Sequence, residues 1–161
     1  MKTFTAIHVL ISLIAILTGF VVLGGMLTRK SLPLWTGVFL AFTVATSVTG
    51  FLFPFHGFTP AIGVGIISMV LLALAIFARY LRHSMGNWRW IYIVTALMSL
   101  YLNVFVLVVQ LFQKVPALKA LAPTQTEPAF AITQLSVLII FVVLTISSLV
   151  RFRVTRAPAI T

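Results

Sequence analysis

The sequence predicts an all-α fold, a polytopic integral membrane bundle of five transmembrane helices, and three observations carry that prediction. Hydrophobic residues make up 61% of the 161 and charged residues only 7%, with a mean hydropathy of +1.21, far from a soluble domain. Apolar runs recur at residues 6–27, 34–53, 61–78, 88–113 and 130–150; about 20 apolar residues suffice to cross a hydrocarbon layer of about 30 Å. Prolines and basic residues collect between the runs, where a chain leaving the bilayer meets water and headgroups. The spans use up most of the length, so residues 1–161 read as a single transmembrane domain.

The first run, 6–27, carries no charge except what His8 holds. It exceeds a signal-peptide core and no A-x-A site follows, so it reads as an uncleaved span. His8, Ser12, Ala15 and Gly19 share one helix face, and the small residues on it let another helix approach closely, which turns the face and His8 into the bundle. Arg29 and Lys30 end this span, and Pro33 suits the first turn of the next, where Thr43, Ser47 and Gly50 form a second small stripe. That helix leaves through FPFHGFTP, residues 53–60, a turn bracketed by two prolines with His56 as its only ionisable side chain.

The third span carries Gly63, Gly65 and Ser68 as close-packing positions and is stopped by Arg79, Arg82 and His83. Trp88, Trp90 and Tyr92 open the fourth with rings suited to a membrane interface. Residues 114–129 contain Leu118, Leu121 and Ala122 beside Lys119, the pattern of a short surface helix ended by Pro123. The segment after it would fold back as a lid or a docking surface. The fifth span is closed by Arg151, Arg153 and Arg156. No internal repeat supports a secondary carrier.

The net charge of +10 and pI near 11.6 do not imply nucleic acid, because the basic residues sit singly or in pairs between apolar runs. They report topology and contact with anionic headgroups. Five spans put Arg29, Lys30, Arg79, Arg82, Arg89, Arg151, Arg153 and Arg156 on one side, and Lys2, Lys114 and Lys119 on the other. By the positive-inside rule the C-terminus is cytoplasmic and the N-terminus outside. Cysteine is absent, which excludes disulfides, thiolate metal sites and thiol catalysis.

This orientation gathers His8, His56, Gln110, Gln134 and the only carboxylate, Glu127, at the outer end. Gln110 ends an outward-running helix and Gln134 begins an inward-running one. On the fourth helix Thr95, Ser99, Asn103 and Gln110 lie close to one stripe, which must face protein or a wetted cavity because an unsatisfied amide in hydrocarbon is costly. Interhelical hydrogen bonds, roughly 0.6 kcal/mol each, would account for it without any function. Tyr101 lies about 20 Å along the helix from Trp88, below the aromatic belt, so its hydroxyl calls for a partner inside the bundle. His8 and His56 read either as interfacial histidines or as a ligand pair for haem or a transition metal, with Glu127 as an oxygen ligand. Proton or quinone chemistry between a histidine and Glu127 is a further reading. One Glu and no Asp cannot assemble a Ser-His-Asp or metal-protease arrangement.

His8 with its Gly19-containing helix, FLFPFHGF around His56, WRWIY from Trp88, YLNVFVLVVQ and KVPALKALAPTQTEP together resemble a group of small uncharacterised bacterial inner-membrane proteins. The resemblance covers nearly the whole chain and implies a bacterial inner-membrane location with no assigned activity. The early histidine is also similar to that of small multi-helix membrane haem proteins, whose usual mid-membrane histidine pairs are missing here. The leading expectation is a non-enzymatic binding or accessory subunit with an outward polar pocket. Its partners would be the lipid bilayer and either other membrane subunits or further copies of itself. The alternative is a redox protein holding haem or a metal through His8 and His56, and the third is a transporter component acting as an oligomer.

Overall fold

The computed structural model describes residues 2–54, 57 and 60–152, and among these it is helical with no strand. The chain runs through α1 (Lys2–Leu27), α2 (Pro33–Phe51), α3 (Pro60–Ile76), a π-helical turn at Phe77–Leu81, α4 (Trp88–Lys114), α5 (Pro116–Leu121) and α6 (Pro128–Arg151). Five of these, with the π turn counted as part of α3, are long and apolar enough to cross a membrane; α5 is the short exception. The protein is therefore an all-α membrane protein with five apolar helices. His56, Arg153 and Arg156 lie outside the described residues.

Local chemistry sets the bounds. Proline stands in the first turn of α2, α5 and α6, where its missing N–H is no loss and its fixed φ suits the helix. This is why α6 starts at Pro128 rather than 130. α1 stops in a Schellman turn, with Lys30 N–H donating to Gly25 C=O at 2.8 Å and Arg29 N–H to Met26 C=O at 3.4 Å. Arg29 holds the left-handed position, φ 61°, that glycine usually takes. α3 continues past residue 78 because Arg82 N–H reaches back five residues to Phe77 C=O at 3.1 Å, closing the π turn.

Hydroxyl side chains inside the spans satisfy themselves on their own helix. Thr18, Thr43, Thr95, Ser99 and Thr145 each donate to the carbonyl four residues back at 2.7–2.8 Å. These five hydroxyls are therefore not orphaned donors, whereas Ser148 of α6, fully buried, has no partner for its Oγ among the described residues.

The bundle is built around α4, which packs against α1, α2, α3, α5 and α6. Its Tyr92, Ile93, Ala96, Leu97, Ser99 and Leu100 are almost fully buried. Association in lipid depends on close packing rather than apolar burial, and Gly19 marks the tightest approach. A Cβ there would lie 2.5 Å from Leu100 Cδ1 and 2.9 Å from Phe39 Cε2, so α1, α2 and α4 cross at the missing side chain. Gly65 leaves similar room for the Phe51 ring, 2.8 Å from its absent Cβ. α6, by contrast, packs on α4 and α1 and turns Leu135, Ile139, Val142, Val143 and Ile146 outward.

Contacts fix which ends meet. Arg79 reaches Ser31, and Arg89 reaches Leu149 and Phe152, so the ends of α1, α3 and α6 lie with the starts of α2 and α4. This is the arginine end. The opposite end, with His8, the close of α2 and α4, α5 and the start of α6, is the cap end.

Candidate functional site

The cap is built by residues 115–127. Val115 takes an extended conformation before Pro116, which ends α4 and starts α5, and the chain then turns through Ala122, fully buried, into a loop. Ala122 packs with Val108 and Phe112 of α4 in a small separate apolar cluster, with Phe130 of α6 edge-on to Phe112 at 5.3 Å. Gln125, in the left-handed region at φ 62°, sends Nε2 to the Val109 carbonyl at 3.0 Å, and Gln113 Nε2 approaches Gln125 Oε1 at 3.5 Å. These contacts lock the loop onto the end of α4.

Glu127 serves this loop. Its Oε1 accepts from Thr124 N–H at 3.1 Å and Thr124 Oγ1 at 2.9 Å, and its Oε2 from Thr126 N–H at 3.1 Å. Desolvation alone would push the carboxyl up, but these donors outweigh it and hold the group below the usual carboxylate value. The bond from Thr124 N–H repeats one half of a capping box, and the Thr124-x-x-Glu127 spacing was the sequence signal for it.

Between the end of α4, α5 and this loop lies an open crevice of about 340 Å³, lined by Phe112, Gln113, Lys119, Pro123, Thr124 and Gln125. Its floor is aromatic, its walls carry amides and a hydroxyl, and Lys119 supplies the one charge among these lining residues. None of these six stood among the sequence-predicted site residues. Gln113 and Gln125 carried no periodic signal, since one ends a helix and the other sits in a turn.

The predicted residues are distributed as follows. His8, half-buried, faces α2: its Nδ1 lies 2.7 Å from Thr49 Oγ1, and its ring stands edge-on to Phe53 at 5.1 Å. The tautomer with the proton on Nδ1 lets Thr49 accept from His8 while keeping its own bond to Ala45 C=O at 2.7 Å, and leaves the lone pair on Nε2. Gln134 is nearly buried, and its Nε2 donates to the Phe105 carbonyl at 3.2 Å while Oε1 is without a partner among the described residues. Asn103 Nδ2 approaches Thr43 Oγ1 at 3.5 Å, the outer limit of a hydrogen bond.

Gln110 and Tyr101 make no side-chain hydrogen bond among the described residues. Tyr101 is only partly buried and packs its ring against Phe105 and Phe141, at 6.2 and 5.6 Å between centroids. The partner its depth called for is therefore replaced by aromatic contact on one side and exposure on the other. Among the described residues no group of three or more His, Cys, Asp or Glu side chains is placed to hold a metal ion.

Comparison of the chain with protein-family models, with curated proteins and with solved structures finds no match.

Proposed function

We propose that this chain is a non-enzymatic binding or accessory subunit of a bacterial inner membrane, with its N-terminus and cap outside, which engages a partner or polar ligand at the cap crevice. The observation that carries the reading is the crevice itself. Its walls are fixed by Gln125 on α4 and by Glu127 on Thr124 and Thr126, so a surface loop is held ordered around a polar opening. The excess of basic residues at the arginine end supports the orientation, and the resemblance to small bacterial inner-membrane proteins supports the location.

One experiment reads both parts, since the chain has no cysteine of its own. A Gln113→Cys variant is treated on intact cells with an impermeant benzophenone maleimide and then illuminated. The reading expects labelling from outside and a discrete crosslinked adduct, with none from Val143→Cys on the outward face of α6. Labelling only after permeabilisation overturns the orientation, and labelling without an adduct overturns the docking role.

A second reading, a redox protein with His8, His56 and Glu127 around haem or a metal, draws on the His8 tautomer. Nδ1 held by a second group, with the Nε2 lone pair left over, is how metal-binding imidazoles are oriented. A Soret band or stoichiometric metal in protein from iron-supplied cells, lost in His8→Ala, would bring this reading to the front.

A further inference from the structure

At the arginine end the basic side chains fall into two kinds. Arg89 is consumed by the protein, donating to the Leu149 carbonyl at 3.0 Å and to that of Phe152, and Arg82 lies over the Trp88 ring at 5.0 Å. Arg79 is different. It is half-buried, yet its guanidinium makes one long bond to Ser31 Oγ, 3.3 Å, and otherwise rests over the Tyr92 ring at 5.6 Å. A guanidinium has five N–H donors, and the rest of Arg79's meet no protein acceptor among the described residues. The Ser31 side of this contact is exposed, so the remaining donors are open to a charged acceptor supplied from outside the protein.

Arg79 lines a shaped space. A narrow crevice runs between the α1–α2 turn and the π turn, walled by Lys30, Ser31, Arg79 and Tyr92 on its polar side and by Met26 and Leu32 on its apolar side. Its interior, about 10 Å³, admits one oxygen-sized atom. Two local irregularities bring the cations together. The Schellman turn, with Arg29 at φ 61°, delivers Lys30 and Ser31, and the π turn carries Arg79 opposite them. The only acidic side chain, Glu127, lies at the far end of the bundle and cannot neutralise them.

We infer that Lys30, Ser31 and Arg79 form a site for the phosphodiester of an anionic phospholipid, one oxygen seated in the crevice and the headgroup lying over Lys30. A lipid supplies what the site asks for at the right level: a fixed negative charge with several acceptor oxygens, joined to a glycerol and chains that continue along Met26 and Leu32. Basic clefts between membrane helices near the headgroup region are suited to this. The inference does not depend on the cap's role.

The test uses the full chain in mild detergent, incubated with phosphatidylglycerol or with phosphatidylcholine of the same acyl chains and read by native mass spectrometry. One retained phosphatidylglycerol per chain is expected, in preference to phosphatidylcholine. Arg79→Gln and Lys30→Gln should each weaken retention about fivefold, and Arg151→Gln, an exposed cation at the same end, should not. Lys30 is solvent-exposed, so its variant keeps the test valid if Arg79→Gln fails to fold. Equal retention of phosphatidylcholine, or an equal loss in Arg151→Gln, would overturn the site in favour of diffuse attraction. Displacement of the lipid by millimolar inorganic phosphate would overturn the lipid and leave a soluble anion as the ligand.

Discussion

The two ends of the bundle solve the same problem with opposite charges. At the arginine end the last carbonyls of α6 receive a cation from 60 residues away, Arg89 donating to Leu149 and Phe152. At the cap end exposed N–H groups of Thr124 and Thr126 receive an anion from the next residues in the chain, Glu127. Both complement the α6 dipole, negative near its start and positive near its close. The arginine clamp joins two helices and so belongs to the fold, whereas the carboxylate clamp joins a loop to itself and so belongs to the surface the loop presents. The first should govern global stability and the second only local order.

Arg89→Ala is expected to break this contrast most visibly, because it strips two carbonyl groups of a charged donor beside the buried Phe152. A loss of roughly 3 kcal/mol follows from typical charged hydrogen bonds, read as a lowered midpoint of thermal unfolding in detergent. Arg89→Lys should recover part of it, and an unchanged midpoint for Arg89→Ala would mean the clamp contributes nothing to the fold.

The middle of the bundle sets the scale for both ends. Gly19→Ala places a methyl 2.5 Å from Leu100 Cδ1 and 2.9 Å from Phe39 Cε2, and overpacking of this kind costs about 1–3 kcal/mol. Gly24→Ala, on the same helix with nothing within 4 Å of the added atom, should be neutral or slightly stabilising. Equal midpoints for the two variants would remove Gly19 from the list of constraints.

Glu127→Gln should have the smallest global effect and the sharpest local one. The folded carboxyl lies below its ordinary value of 4.5, so its contribution is complete above that value and is lost as pH falls through the lower folded value. Amide protection at Thr124 and Thr126, corrected for intrinsic exchange, should therefore hold in mildly acid solution and fall only as the pH drops below 4.5 in the wild type. It should be low and flat with pH in Glu127→Gln, while the midpoint of global unfolding stays put.

The five spans were legible because the bilayer imposes a length and a composition that few other settings share, and α5 because Pro116 and Pro123 bracket Leu118 and Leu121. Ala15 and Gly19 read correctly as close-approach positions, since helix periodicity puts them on one face of α1, and so did Gly65 on α3. Pairings across the bundle were not legible. Nothing near Arg89 in the chain announces the carbonyls of Leu149 and Phe152, and nothing near Arg79 announces Ser31. The π turn left no trace either, because its five residues are compositionally ordinary. Glu127 shows a different failure: as the only carboxylate it invited a ligand role, while its partners were Thr124 and Thr126, close enough in sequence to be overlooked.

The hydroxyls of Thr18, Thr43, Thr95, Ser99 and Thr145 bear on how the chain is made. A ribosome delivers α1, α2 and α3 to the bilayer before α4, the helix they all pack against, has been synthesised. During that interval any side chain waiting for an interhelical partner would face hydrocarbon unsatisfied. Because each of these hydroxyls bonds the carbonyl four residues back, α1, α2, α4 and α6 enter with these hydroxyls already paired. Insertion can then proceed one helix at a time, and the late arrival of α4 only has to bring the pieces together.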